Sequence, residues 1–207
     1  MGRADHHSVV GQQPPHLKPT ETEKEFIMSK LILKRFQCAV ETDEIGADSP
    51  YFLTFVGDIA TGATTMKMTR QGNWHNEVDA GEIWTVNETV SHGLGYVPNK
   101  TLVLCGVVEE DEGVDIGGAE VNAIELAVKN ALNQFRATGS TTVTSKVRND
   151  LAGAMRYAIA LHLLSSAGAR DDIVGVKPLA LNGKTGEQPV VPVKGDGGLY
   201  RVRYAMA

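Results

Sequence analysis

Strand-like alternation comes first along this chain, helical periodicity second, and strand-like alternation again last. That order excludes a sheet built from repeated strand-helix-strand crossovers. Leu31–Val40 is rich in β-branched and aromatic residues and puts Ile32, Phe36, Cys38 and Val40 on one face of a strand. Residues 50–56 read as a second strand closed by Gly57-Asp58, and weaker strands follow at Thr64–Thr69 and 82–88. Residues 101–108 are apolar almost throughout, the pattern of a central strand covered on both faces.

Residues 119–137 then bring Val121, Ile124, Leu126, Val128, Leu132 and Phe135 to spacings that a helix gathers on one side. Residues 149–167 repeat this, with Asn149 or Asp150 as the expected N-cap and Gly168 as the stop. The connection Thr138-Gly139-Ser140-Thr141-Thr142 makes the pair a helical hairpin. Strand patterns return at 173–181, 190–193 and 199–204, separated by the turns Asn182-Gly183 and Gly195-Asp196-Gly197-Gly198. The expected architecture is mainly β, an antiparallel β-sandwich with an inserted two-helix hairpin at about residues 116–169.

With 207 residues, the chain is long enough for a sizeable core. Residues 1–27 are polar, Pro-containing and without apolar periodicity, so the sequence divides into a flexible arm at 1–27 and a single domain at 28–207. Met28-Ser29-Lys30 reads as a natural start, which makes the arm upstream or added sequence; the alternative is an arm that pairs with a neighbouring subunit. No charged segment followed by an apolar core marks a secretory signal, so the expected location is the cytoplasm or outside it by a route without a cleaved signal. The second helix is shorter than the about 20 residues that span a bilayer and carries Arg156 and His162, so its apolar face is expected against the sandwich or another subunit. Cys38 and Cys105 lie in apolar runs and read as buried free thiols, with a disulfide between neighbouring strands as the alternative.

Net charge is −5, from 25 acids and 20 bases, which leaves no global basic field to attract nucleic acid. The acids are not evenly spread. Glu41, Asp43, Glu44 and Asp48 share one turn, Glu109, Glu110, Asp111, Glu112 and Asp115 a second, and Asp171 and Asp172 a third. Each turn lies at a strand boundary, and a sandwich can bring such turns to one end. Carboxylates meeting there without bases would repel by on the order of a few kcal/mol unless protonated or neutralised by a cation. Calcium is the fitting cation, because it takes 6–8 hard oxygen ligands from flexible carboxylate loops. Solvated turns are the other reading, since Asp and Gly are ordinary turn formers.

Three of these stretches carry a family resemblance. Asp43-Glu44-Ile45-Gly46-Ala47-Asp48-Ser49-Pro50-Tyr51-Phe52 resembles the first calcium loop of the calcium-dependent lipid-binding C2 domains, Asp-x-x-Gly-x-Ser-Asp-Pro-Tyr-Val running into a strand. Val107-Val108-Glu109-Glu110-Asp111 resembles that family's Asp-x-Asp loop, and Asp171-Asp172-Ile173-Val174-Gly175 its closing Asp-Asp-x-Ile-Gly. The matches follow family order and cover roughly 31–108 and 170–204. The resemblance implies a C2-like sandwich with calcium held by Asp43, Asp48, Asp111 and Asp172, and next by Glu109 and Asp171; Tyr51 and Gly175 would be structural. Three departures stand out. Asp48 and Ser49 are exchanged relative to the family order, Glu109 replaces an Asp, and 59 residues separate Asp111 from Asp171 where the family has a short loop. The insertion would occupy the surface through which such domains meet membranes.

Enzyme signatures are absent: there is no Gly-x-Ser-x-Gly elbow, phosphate loop, Gly-x-Gly-x-x-Gly turn or His-Glu-x-x-His helix. Trp74-His75-Asn76-Glu77 is the one stretch that joins an imidazole, an amide and a carboxylate, and it reads as a polar turn. The expected function is therefore a calcium-binding, non-enzymatic module for protein interaction or self-association, without nucleic acid and with a membrane only as a weak alternative. The rival readings are a structural subunit of a homopolymer and a secreted effector whose hairpin enters membranes.

Overall fold

The computed structural model describes residues 30–42, 49–70, 78–91, 93–110, 116–165 and 172–207. In chain order these form strands β1 (Leu31–Val40), β2 (Pro50–Asp58), β3 (Thr64–Thr69), β4 (Ile83–Thr89) and β5 (Thr101–Glu109), then helices α1 (Gly118–Ala137) and α2 (Ser145–Ser165). Strands β6 (Asp172–Pro178), β7 (Gly186–Glu187), β8 (Val191–Gly195) and β9 (Gly198–Met206) follow. The strands build two antiparallel sheets. One has the order β4-β1-β9-β7 with β8 also on β9, and the other β3-β2-β5-β6. The fold is a β-sandwich with a helical insertion between β5 and β6.

The second sheet is covered on both faces, which explains the continuous apolar runs of β2 and β5. Phe52, Val56, Val103, Cys105 and Val107 meet Phe36, Tyr200, Val202 and Tyr204 of the first sheet. The alternate residues Tyr51, Leu53, Phe55, Leu102, Leu104 and Val108 meet the helices, through Ile124, Val128 and Leu132 of α1 and Leu151, Met155 and Ile159 of α2. The second helix thus buries its apolar face on the sandwich. Among the described residues no helix is long and apolar enough to cross a membrane.

Three local expectations need correction, the first being Leu126, which is exposed on α1 and does not join Val121, Ile124, Val128 and Leu132 in the core. In β1 the register shifts between Leu33 and Arg35 and again between Cys38 and Val40. The first bulge changes the phase of alternation, so Leu31 and Leu33, not Ile32, join Phe36 and Cys38 in the core. The second leaves Val40 exposed. Helix α2 starts at Ser145, so Asn149 and Asp150 lie inside it. The Thr144 hydroxyl accepts the Val147 N–H at 3.3 Å, a cap one turn upstream of the expected one, and Val143 and Val147 are buried beneath it. Gly168, the expected stop, lies outside the described residues.

Cys38 and Cys105 are free thiols, both buried. Burial pushes the Cys105 thiol up to about 12, against a pull downward from its hydrogen bond with Tyr204. The Tyr204 phenol, whose hydroxyl shares a 2.9 Å hydrogen bond with Thr54 of the opposite sheet, is likewise raised by burial and then by Cys105. Both groups bind their protons more tightly in the folded chain than in the unfolded one. Their contribution is therefore intact below the unfolded thiol value of 9.0 and is lost as pH rises from there toward about 12. Urea midpoints should be level between neutral pH and pH 9 and fall steadily above it. At pH 8 neither thiol should react with an aromatic disulfide reagent until denaturant is added; rapid labelling of the folded chain would contradict this burial.

Candidate functional site

The ladder register shows what lies at the acid-rich end of the second sheet. Pro50, the first residue of β2, pairs with Glu109, the last of β5, and Glu109 pairs in turn with Asp172, the first of β6. The boundaries of all three acidic turns therefore stand side by side at one end of three adjacent strands. The chain leaves for the insertion after Glu109 and returns from it at Asp172, so both ends of the helical insertion root at this point. The β8-β9 hairpin turn flanks the same end. It is built with positive φ at Asp196 (45°) and Gly197 (73°), which suits a tight two-residue turn, and Gly195 stacks against the Val174 backbone.

The described carboxylates at this end have specific tasks. Glu109 is only 3% exposed, and its Oε1 accepts the Ser49 N–H at 3.0 Å. The Glu110 N–H donates to the Ser49 carbonyl at 3.2 Å, closing a two-way clasp between the first and second turns. The Glu110 carboxylate forms an ion pair with Arg70, just beyond β3, with both side chains largely buried. Glu41 accepts the Ala80 N–H. Part of the acid excess thus fixes the turns to one another, and Asp172 is half-buried at the start of the edge strand β6. Of the sequence-predicted ligands, Glu109 and Asp172 are adjacent in the ladder, whereas Asp43, Asp48, Asp111 and Asp171 lie outside the described residues. Among the described residues no group of three or more His, Cys, Asp or Glu could hold a metal ion. A calcium shell would have to be completed from the predicted Asp43, Asp48, Asp111 and Asp171. Trp74-His75-Asn76-Glu77 also lies outside the described residues.

At the far end of the insertion, α1 is held by Arg136. Its Nε donates to the Ile59 carbonyl at 2.9 Å and its Nη2 to the Ala60 carbonyl at 3.2 Å, binding the helix C-terminus to the β2-β3 turn. Midway, the Thr64 hydroxyl donates to Glu125 at 2.7 Å. The hairpin is therefore fixed to the sheet along its length. Its outer surface carries an apolar stripe on α2: Tyr157, Leu161 and Leu164 are 67%, 48% and 83% exposed and follow one another at i, i+4 and i+7. This stripe was legible as spacing but was hidden by the stronger inward set Leu151, Met155 and Ile159.

Fold and site together define a mainly β, two-sheet antiparallel sandwich whose two-helix insertion is rooted at an acid-rich end. Comparison with protein-family models, with curated proteins and with solved structures finds no match to this chain.

Proposed function

We propose that the chain is a calcium-binding, non-enzymatic module that mediates protein interaction or assembly, in which calcium joins the three acidic turns and so stiffens the root of the helical insertion. The observation that carries this reading is the Pro50-Glu109-Asp172 alignment, which seats the three turn boundaries on neighbouring strands. Asp172 would supply one ligand, with Asp43, Asp48, Asp111 and Asp171 completing the shell and Glu109 bracing it through Ser49. Calcium suits such a set because its coordination is oxygen-rich and geometrically tolerant. The C2-like resemblance of the three loops points the same way. The exposed Tyr157-Leu161-Leu164 stripe supports the interaction part, since apolar side chains aligned on an outer helix face are the usual material of protein contacts.

Calorimetric titration of the purified chain with calcium is the test. A saturable heat, abolished by Asp43→Asn and weakened by Asp172→Asn, is expected, together with a sedimentation coefficient that responds to calcium. Absence of heat at millimolar calcium would reject the reading, because even weak protein sites lie at about 10⁻⁴–10⁻³ M.

A further inference from the structure

The outward face of the first sheet holds a second charged feature, opposite in sign to the acidic end and remote from it in chemistry. Arg35 of β1 and Arg203 of β9 are direct cross-strand partners, and the next pair along, Gln37 and Arg201, stands beside them. Like charges placed opposite one another on a sheet repel, so this arrangement needs counter-charge. Glu187 of β7 supplies part of it. One oxygen, Oε2, meets Arg203 Nη1 at 2.5 Å and Arg35 Nη2 at 3.3 Å. Arg201 has only the amide oxygen of Gln37, at 3.3 Å, and no carboxylate among the described residues. Among the described residues, three guanidinium groups thus face a single carboxylate.

Arg35, Arg201 and Arg203 line an open cleft of about 240 Å³ together with Ile83 and Val190, both exposed. The volume accommodates a small ligand rather than a lone water, and the lining combines cationic with apolar side chains. Guanidinium forks match planar or tetrahedral oxyanions through paired N–H donors. The surplus of two positive charges over Glu187 matches a dianion better than a monocarboxylate.

We infer that this cleft is a binding site for a phosphate monoester, with Arg201 and the outward N–H groups of Arg35 and Arg203 on the phosphate, and Ile83 and Val190 against its organic substituent. Glu187 positions Arg35 and Arg203 and at the same time competes with the ligand for them. Its own carboxyl is held below the ordinary range, first by the Arg203 hydrogen bond and then by the Arg35 charge, so it stays ionised and the competition persists at neutral pH.

The test uses the full chain with phenyl phosphate, inorganic phosphate and phosphatidic-acid vesicles as separate probes. Binding of phenyl phosphate should be saturable, tighter than that of inorganic phosphate, and weakened by rising salt. Arg201→Gln, an exposed change, should weaken it by about tenfold or more, the loss of one charge-assisted contact. Glu187→Gln should act in the opposite direction and tighten it several-fold. Vesicle binding sensitive to Arg201→Gln would place the phosphate on a lipid headgroup, and binding of phenyl phosphate alone would place it on a soluble molecule. No saturable binding of any probe, or binding indifferent to both variants, would overturn the assignment.

Discussion

Phe52→Ala should lower the stability of the folded chain by about 3–5 kcal/mol, the range for deleting an aromatic ring from a packed core. Phe52 sits in β2, fully buried between the sheets, with its ring centroid 4.7 Å from Phe36 and 6.4 Å from Tyr200. Its alanine variant leaves a void bounded by strands from both sheets, and neither sheet can close it without breaking its own ladder. A native domain is stable by only about 5–15 kcal/mol, so the variant approaches the limit of folding. Urea unfolding is the measurement: the midpoint should fall sharply with little change in slope. A loss below about 1 kcal/mol, the scale of an ordinary surface change, would mean that the two sheets are not packed face to face at this ring.

Gly195→Ala should be nearly as damaging for a different reason. An added methyl would lie 2.0 Å from the Val174 carbonyl oxygen, a backbone atom that cannot rotate away. Either β8 must separate from β6 or the β8-β9 turn must open, at a cost of about 3 kcal/mol, the upper part of the range for overpacking. The contact lies two residues beyond Asp172, so the same change should disturb the acid-rich end. Gly153→Ala is the matched control. That glycine lies within α2 with nothing within 4 Å of the added methyl, so the substitution should stabilise by about 0.5–1 kcal/mol through helix propensity alone. Equal effects at the two positions would contradict the hairpin's close approach to β6.

The strands were legible because their burial is written in their periodicity. The second-sheet strands β2 and β5, covered on both faces, show unbroken apolar runs, while β4 shows alternation with Trp84 and Val86 inward. The hairpin was legible from its change of period and from the turn at residues 138–142. The bulges of β1 were not, since nothing in Leu33-Lys34-Arg35 marks an extra residue, and the change of face shows only in the pairing with the neighbouring strands β4 and β9. The start of α2 was missed because Asn149 and Asp150 are strong cap formers; Thr144 does the capping because Val143 and Val147 gain burial there.

The candidate site divides in the same way. Acid clusters are visible as composition, but the alignment of their boundaries depends on the register that pairs Pro50, Glu109 and Asp172. The structural work of Glu109 and Glu110, clasping Ser49 and pairing with Arg70, depends on residues 40 to 60 positions away and leaves no local signal. The arginine cleft was missed entirely, because Arg35 and Arg203 become neighbours only through the pairing of the first strand with the last.

The proposed function requires a cation that joins the acidic turns at the root of the helical insertion. Thermal unfolding of the full chain with calcium, and with chelator, tests it most directly. At a hundredfold excess of calcium over its dissociation constant, linkage gives about 2.7 kcal/mol, which for a chain of this length raises the melting temperature by about 5–10 °C. That rise should vanish in Asp43→Asn and shrink in Asp172→Asn. Superimposable melting curves with calcium and with chelator would contradict the claim and leave the acidic end as a set of hydrogen-bonded, solvated turns.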